Sequence, residues 1–169
     1  SPTGSNRERI AMTRTIALPI LGGGQCGALR YQITAAPLMI YACHCTNCQR
    51  IAGSAFGLAT TITEGSLEFT TGKPARVEWK SESGNERYGI AAAAVAVGSL
   101  TGKRSIERNS SLRAGTFDDA SGVVPAGHIW TKSAQAWFRF GDDDILSETQ
   151  PTDSVPFIEK FKAQFQFEA

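Results

Sequence analysis

The chain has 169 residues, enough for one domain with a real hydrophobic core and too few for two comfortable ones. Apolar content of 41%, charged content of 20% and a formal net charge of +1 describe an ordinary globular protein. That balance offers no electrostatic footprint for nucleic acid or an anionic membrane, and no apolar stretch is long enough to span a bilayer. Four cysteines are too few, and too clustered, for a secreted disulfide framework, so a reducing, cytoplasmic setting is expected.

Residues 1–11 read as an appended remnant of expression ahead of a natural start at Met12, which leaves 12–169 as a single domain. Residues 15–21 predict a first strand, followed by the turn Gly22-Gly23-Gly24. Residues 26–33 alternate in the manner of a half-buried strand, and Pro37 breaks the pattern. Residues 38–42 predict a short apolar strand that runs straight into Cys43-His44-Cys45-Thr46-Asn47-Cys48. Residues 49–52 predict a helical turn ending at Gly53, and residues 56–62 resume strand character.

Further strands are expected at 67–70, 77–81, 111–116, 127–131 and 136–140, with turns at 64–66, 71–74 and 83–85. Residues 90–97 fit a buried strand or a piece of Ala-rich helix equally well, and 101–111 read as a loop. Asp142-Asp143-Asp144 reads as a solvated acidic turn. The tail predicts a helix with Phe157, Phe161 and Phe165 on one face, capped by Asp153 or Ser154 with Pro156 in its first turn. Short, regularly spaced strands with Gly and Pro punctuation point to a mainly β architecture.

The three thiols at C-x-C-x-x-C spacing carry the chemistry. One tight turn can aim all three sulfurs at a common centre, and converging soft thiolates suit Zn²⁺. Three protein ligands leave a fourth position open, as in catalytic zinc sites. Other readings stand beside this one. Cys45 and Cys48 form a C-x-x-C redox spacing, Cys26 or His44 could close a structural site, or the thiols could be inert core residues. In an extended segment the His44 ring would face away from its neighbours. Neither a Ser/His/Asp arrangement nor a carboxylate pair competes.

Gly22-Gly23-Gly24-Gln25-Cys26-Gly27-Ala28-Leu29-Arg30-Tyr31 resembles the opening motif of the glutathione-dependent formaldehyde-activating enzyme family, which includes centromere protein V-like proteins. Cys43 to Cys48 followed by Gly53-Ser54-Ala55-Phe56 is similar to its second motif, and the stretches 113–119 and 128–133 resemble later ones. The resemblance implies a small Mss4-like, zinc-ribbon-related β fold. It also implies a three-cysteine zinc site at Cys43, Cys45 and Cys48, and a separate structural zinc. The family's opening C-x-C is here Gly24-Gln25-Cys26, and its later C-x-x-C should follow Tyr88, where the chain runs Gly89-Ile90-Ala91-Ala92-Ala93-Ala94. One cysteine cannot replace a four-cysteine site that contributes on the order of 10 kcal/mol or more in isolated fingers. No structural zinc is therefore expected. The likeness stops at about Gly89 and resumes by Leu112, as a pair of compensating frameshifts would produce. A search of the other reading frames for a C-x-x-C tests that idea.

The resemblance implies a zinc-dependent carbon–sulfur lyase acting on glutathione–aldehyde adducts, of the S-hydroxymethylglutathione synthase type. Its partners would be glutathione or a related small thiol and an aldehyde, with no nucleic acid and no membrane. Glutathione is anionic, so Arg50 near the thiols and Trp130 with Lys132 are candidate substrate contacts. A solvated charge and a core aromatic are the plainer readings of Arg50 and Trp130. His128 is a candidate proton shuttle or a core histidine. The alternative function is a non-catalytic zinc-binding or degenerate member serving as a binding scaffold.

Overall fold

A computed structural model describes residues 13–63, 65–80, 86–91 and 109–169, with side chains left out at 76–79, 86–91 and 109. Proline has no N–H to give a ladder, and the expected first strand divides at Leu18-Pro19 into β1 (Arg14–Ala17) and β2 (Ile20–Gly23). The segment between Gly24 and Leu29 is a turn, closed by the Gly24 N–H donating to the Leu29 carbonyl at 3.0 Å. That shortens the next strand to β3 (Arg30–Ile33). β4 (Met39–Cys43), α1 (Thr46–Ala52), β5 (Gly57–Thr63), β6 (Leu67–Thr71), β7 (Ala75–Lys80) and β8 (Glu86–Ala91) follow. After them come β9 (Asn109–Arg113), β10 (Gly127–Ile129), β11 (Ile145–Ser147), α2 (Val155–Gln164) and β12 (Phe165–Glu168). The fold is mainly β, as the strand pattern predicts.

A five-stranded sheet has the order β11-β10-β4-β5-β9, and a three-stranded sheet the order β2-β3-β6. An isolated bridge joins Gly22 of β2 to Phe117, in the segment that follows β9, and β1 pairs in parallel with β12. Tyr31, Ile33, Ile40, Ile62, Leu112, Phe161 and Phe165 fill the main core. A second buried cluster joins Cys43 and Cys45 to Ile129, Trp130 and Phe157. The thiols thus sit at the end of the central strand β4, in an apolar wall. Among the described residues no helix is long and apolar enough to cross a membrane.

Several expectations need correction. Residues 136–140 form no strand, because Ala136 and Trp137 lie in a turn closed by the Phe138 N–H donating to the Gln135 carbonyl at 2.9 Å. The alternation read there is real, but it serves to aim Phe138 and Phe140 at one centre. Phe165 lies past α2 and begins β12, although its ring still stacks on Phe161 at 4.8 Å between centroids. Asp153 rather than Ser154 supplies the side-chain cap of α2, accepting from the Val155 N–H at 2.9 Å. Residues 1–11, the turn at 83–85, the alternatives for 92–97, residues 101–108 of the predicted loop and most of the block 89–109 lie outside the described residues.

Candidate metal centre

The parallel pairing of β10 with β4 sets Ile129 opposite Cys43, and the His44 N–H donates to the Ile129 carbonyl at 3.0 Å. The chain then turns sharply into α1, with Cys45 as N-cap. Its Sγ accepts from the Cys48 N–H at 3.4 Å. Gly53 closes the helix in the left-handed region at φ 57°. The first turn of this seven-residue helix therefore carries Cys48 back over Cys43 and Cys45.

The three Sγ atoms lie within 4.8 Å of one another. Tetrahedral zinc with sulfurs at about 2.3 Å places them about 3.8 Å apart, so the group fits a zinc-sized soft cation with small side-chain adjustments. No other His, Cys, Asp or Glu among the described residues joins the group. Cys26 is exposed in the turn after β2, and the His44 ring points elsewhere, so neither supplies a fourth ligand.

The thiols share protons. Hydrogen bonds from Cys43 and Cys45, followed by the charge of Arg113, hold Cys48 far below the ordinary thiol range. Cys43 is pushed up, because it donates to Cys45 and Cys48 and is buried. For Cys45 the bond with Cys43 favours thiolate, but its bond with Cys48 and burial outweigh it. A buried cluster whose hydrogen bonds favour the anionic form of one sulfur suits a cation.

The Arg113 Nη2 donates to the Cys48 Sγ at 3.6 Å. A side chain at Gly57 would overlap the Arg113 guanidinium, so the missing Cβ is what admits the cation. Arg113 stands at the end of β9, beside β5, in a stretch read only as a family-like motif. Its role depends on pairing across 65 residues of sequence and carries no local signal.

His44 is buried on the other side of the turn. Its ring centroid is 4.9 Å from Phe138, 5.3 Å from Phe56 and 5.5 Å from Phe140. Its Nε2 is 2.9 Å from the Nδ1 of His128, and the Nε2 of His128 is 3.3 Å from Asp144. Burial, then the neighbouring His128, pushes His44 down to about 4, and burial also lowers His128. Asp144 therefore does more than solvate a turn. His44, Asp144 and the three phenylalanines were not legible as a group from the sequence.

Gln49 locks the turn to the segment that follows β10. Its Nε2 donates to the carbonyls of His44 at 2.6 Å and Ser133 at 2.8 Å, and its Oε1 accepts from Gln135 at 2.8 Å. This bond set brings residues 130–133 against the thiols. Trp130 is buried in the thiol cluster and holds φ 57°, unusual for a bulky residue. The exposed Lys132 sits with its Nζ 4.9 Å from the Trp130 ring. Arg50 is exposed on the last turn of α1. Trp130 and Lys132 thus come together beside the thiols, whereas Arg50 remains on the outer surface of the helix.

Residues 19–133 match the family described as glutathione-dependent formaldehyde-activating enzyme. The chain belongs to that family. The matched span holds the three thiols, Gln49, Gly57, Arg113, His128, Trp130 and Lys132, and ends before Asp144 and the Phe138–Phe140 wall. A solved Rhodobacter sphaeroides protein is similar at 16% identity and a TM-score of 0.43, over 63% of this chain and 92% of that one. No curated protein matches the chain.

Proposed function

We propose that this chain is a zinc-dependent carbon–sulfur lyase of the S-hydroxymethylglutathione synthase type, joining glutathione or a related small thiol to an aldehyde. The observation that carries the reading is the convergence of Cys43, Cys45 and Cys48 with no fourth protein ligand among the described residues, in a chain of this family. In the forward direction the thiol sulfur forms a bond to the aldehyde carbon, the carbonyl π bond breaks, and the thiol proton ends on the oxygen. Zinc, when bound, supplies a Lewis acid that favours thiolate over thiol at neutral pH.

The chain's own residues do the rest. Cys43, Cys45 and Cys48 hold the metal, and the apolar wall of Ile129, Trp130 and Phe157 keeps bulk water from the inner side. Lys132, braced on Trp130, offers a cation to a substrate carboxylate at the rim, and Arg50 offers a second from α1. Residues 12–169 work as a single domain, in a reducing cytoplasmic compartment where free thiols persist, without nucleic acid as a partner.

The test is metal content per chain on protein purified without chelator, with Cys45→Ser as control. Formation of the glutathione–formaldehyde adduct is then followed by proton NMR. About one zinc per chain, lost in the control, with adduct exchange faster than in buffer, supports the reading. Metal binding without acceleration supports a non-catalytic zinc module instead, and absence of metal supports a degenerate scaffold.

A further inference from the structure

A site made of three thiolates and a divalent cation carries a net charge of −1. Adding a substrate thiolate takes it to −2 inside a largely apolar wall, where uncompensated charge is costly. A neutral ligand adds no charge. The site as built from cysteines alone therefore disfavours the anionic sulfur that the proposed reaction needs.

Among the described residues, Arg113 is the cation in contact with the thiol group, and it offsets this balance. Its Nη2 reaches the Cys48 Sγ at 3.6 Å, and its buried Nε has no hydrogen-bond partner among the described residues. Among the described residues no carboxylate pairs with it. The fold also reserves space for it, because any side chain at Gly57 would occupy the position of the guanidinium. The same Gly57 Cβ position lies 3.5 Å from the Cys48 Cβ, so the cradle opens directly beside the ligand.

We propose that Arg113, seated through Gly57 against Cys48, is a positioning residue that makes the three-cysteine site select an anionic sulfur over a neutral ligand. The inference rests on the metal-binding reading above. It returns the thiolate-bound site from −2 to −1 while leaving a complex with a neutral ligand near zero charge. Arg113 touches the cysteine sulfur and not the reacting atoms.

The experiment uses the full chain loaded with Co²⁺, whose visible bands report coordination. Wild type, Arg113→Lys, Arg113→Met and Gly57→Ala are each titrated with 2-mercaptoethanol, glutathione and the neutral ligand imidazole. Arg113→Met is expected to weaken both thiols by about 10- to 100-fold, the range for a hydrogen bond to a charged group. Imidazole binding should stay within about twofold, since it adds no charge. Arg113→Lys should recover part of the loss, and Gly57→Ala should weaken thiols while keeping the arginine. Equal losses for thiols and imidazole would mean a merely structural role, and loss confined to glutathione would place Arg113 on a carboxylate; either overturns the proposal. Thiol binding unchanged in Arg113→Met overturns it alone, whereas cobalt without thiol binding in wild type overturns the enzymatic reading as well.

Discussion

His44 Nε2 and His128 Nδ1 lie 2.9 Å apart in a buried pair, and Asp144 Oδ2 sits 3.3 Å from the far nitrogen of His128. An ionised carboxylate only accepts, so His128 donates from Nε2 and keeps Nδ1 as an acceptor. His44 must then donate from its own Nε2, which leaves its buried Nδ1 unprotonated and without a partner among the described residues. Nitrogen-15 NMR of the imidazoles is expected to show both rings as Nε2–H tautomers at neutral pH. Asp144→Ala should mix the tautomers of both rings. An Nδ1–H signal from His128 in the wild type would contradict the assignment.

The same pair predicts a pH dependence of stability. His44 is held down to about 4 and His128 also below its ordinary value of 6.5, both first by burial. Asp144 favours the charged form of His128 and Lys160 opposes it, while His128 opposes the charging of His44. Below pH 6.5 the unfolded chain takes up protons that the folded chain refuses, so stability falls as pH drops toward 4. Urea midpoints at pH 7, 5.5 and 4.5 should decline in the wild type. His128→Gln, which removes one of the two protonation sites, should decline less steeply over the same window.

Tyr31 and Gly22 predict a packing limit. The Tyr31 hydroxyl bonds the Thr116 hydroxyl at 2.6 Å, and its ring lies where a Gly22 side chain would go, with the Thr116 carbonyl closing the other side. Gly22→Ala is expected to cost about 1–3 kcal/mol, the usual range for forcing a methyl into a filled core. Gly115→Ala, which meets nothing within 4 Å, should stay within about 0.5 kcal/mol. Chemical denaturation of the two variants makes the comparison.

The sequence displayed what is local and hid what is not. The thiol turn was legible because C-x-C-x-x-C puts all its ligands in six residues, and Gly53 marked the end of α1. Period-two alternation revealed most strands, but not where glycine turns and Pro19 would cut them short, and not β11, whose three residues are too few to show a period. Trp130 and Lys132 were named together because both lie in the family-like stretch 128–133, and the fold keeps them together. Arg113, Gln49 and Asp144 act on the site through contacts spanning 65, 84 and 16 residues, with no spacing rule to mark them. Phe138 and Phe140 were seen as strand residues because alternation reports a shared face without saying whether a ladder or a histidine lies opposite.

Gln49 gives the last prediction, because it and Arg50 are neighbours on α1 with opposite consequences. Gln49 satisfies two carbonyls and one amide, so truncation to alanine leaves His44 O and Ser133 O without that donor and frees the 130–133 segment from the thiol turn. Groups left unsatisfied in this way cost about 1–3 kcal/mol when buried. Because the freed carbonyl belongs to the residue between Cys43 and Cys45, the penalty should fall on metal retention as well as on folding. In competition with a chromophoric chelator, Gln49→Ala is expected to lose zinc about tenfold or more readily than the wild type, taking about 1.4 kcal/mol per tenfold change. Arg50→Ala, an exposed change on the same helix, should retain zinc like the wild type while weakening glutathione if Arg50 meets its carboxylates. Equal zinc retention in the two variants would show that the glutamine bridge does not hold the ligand turn in place.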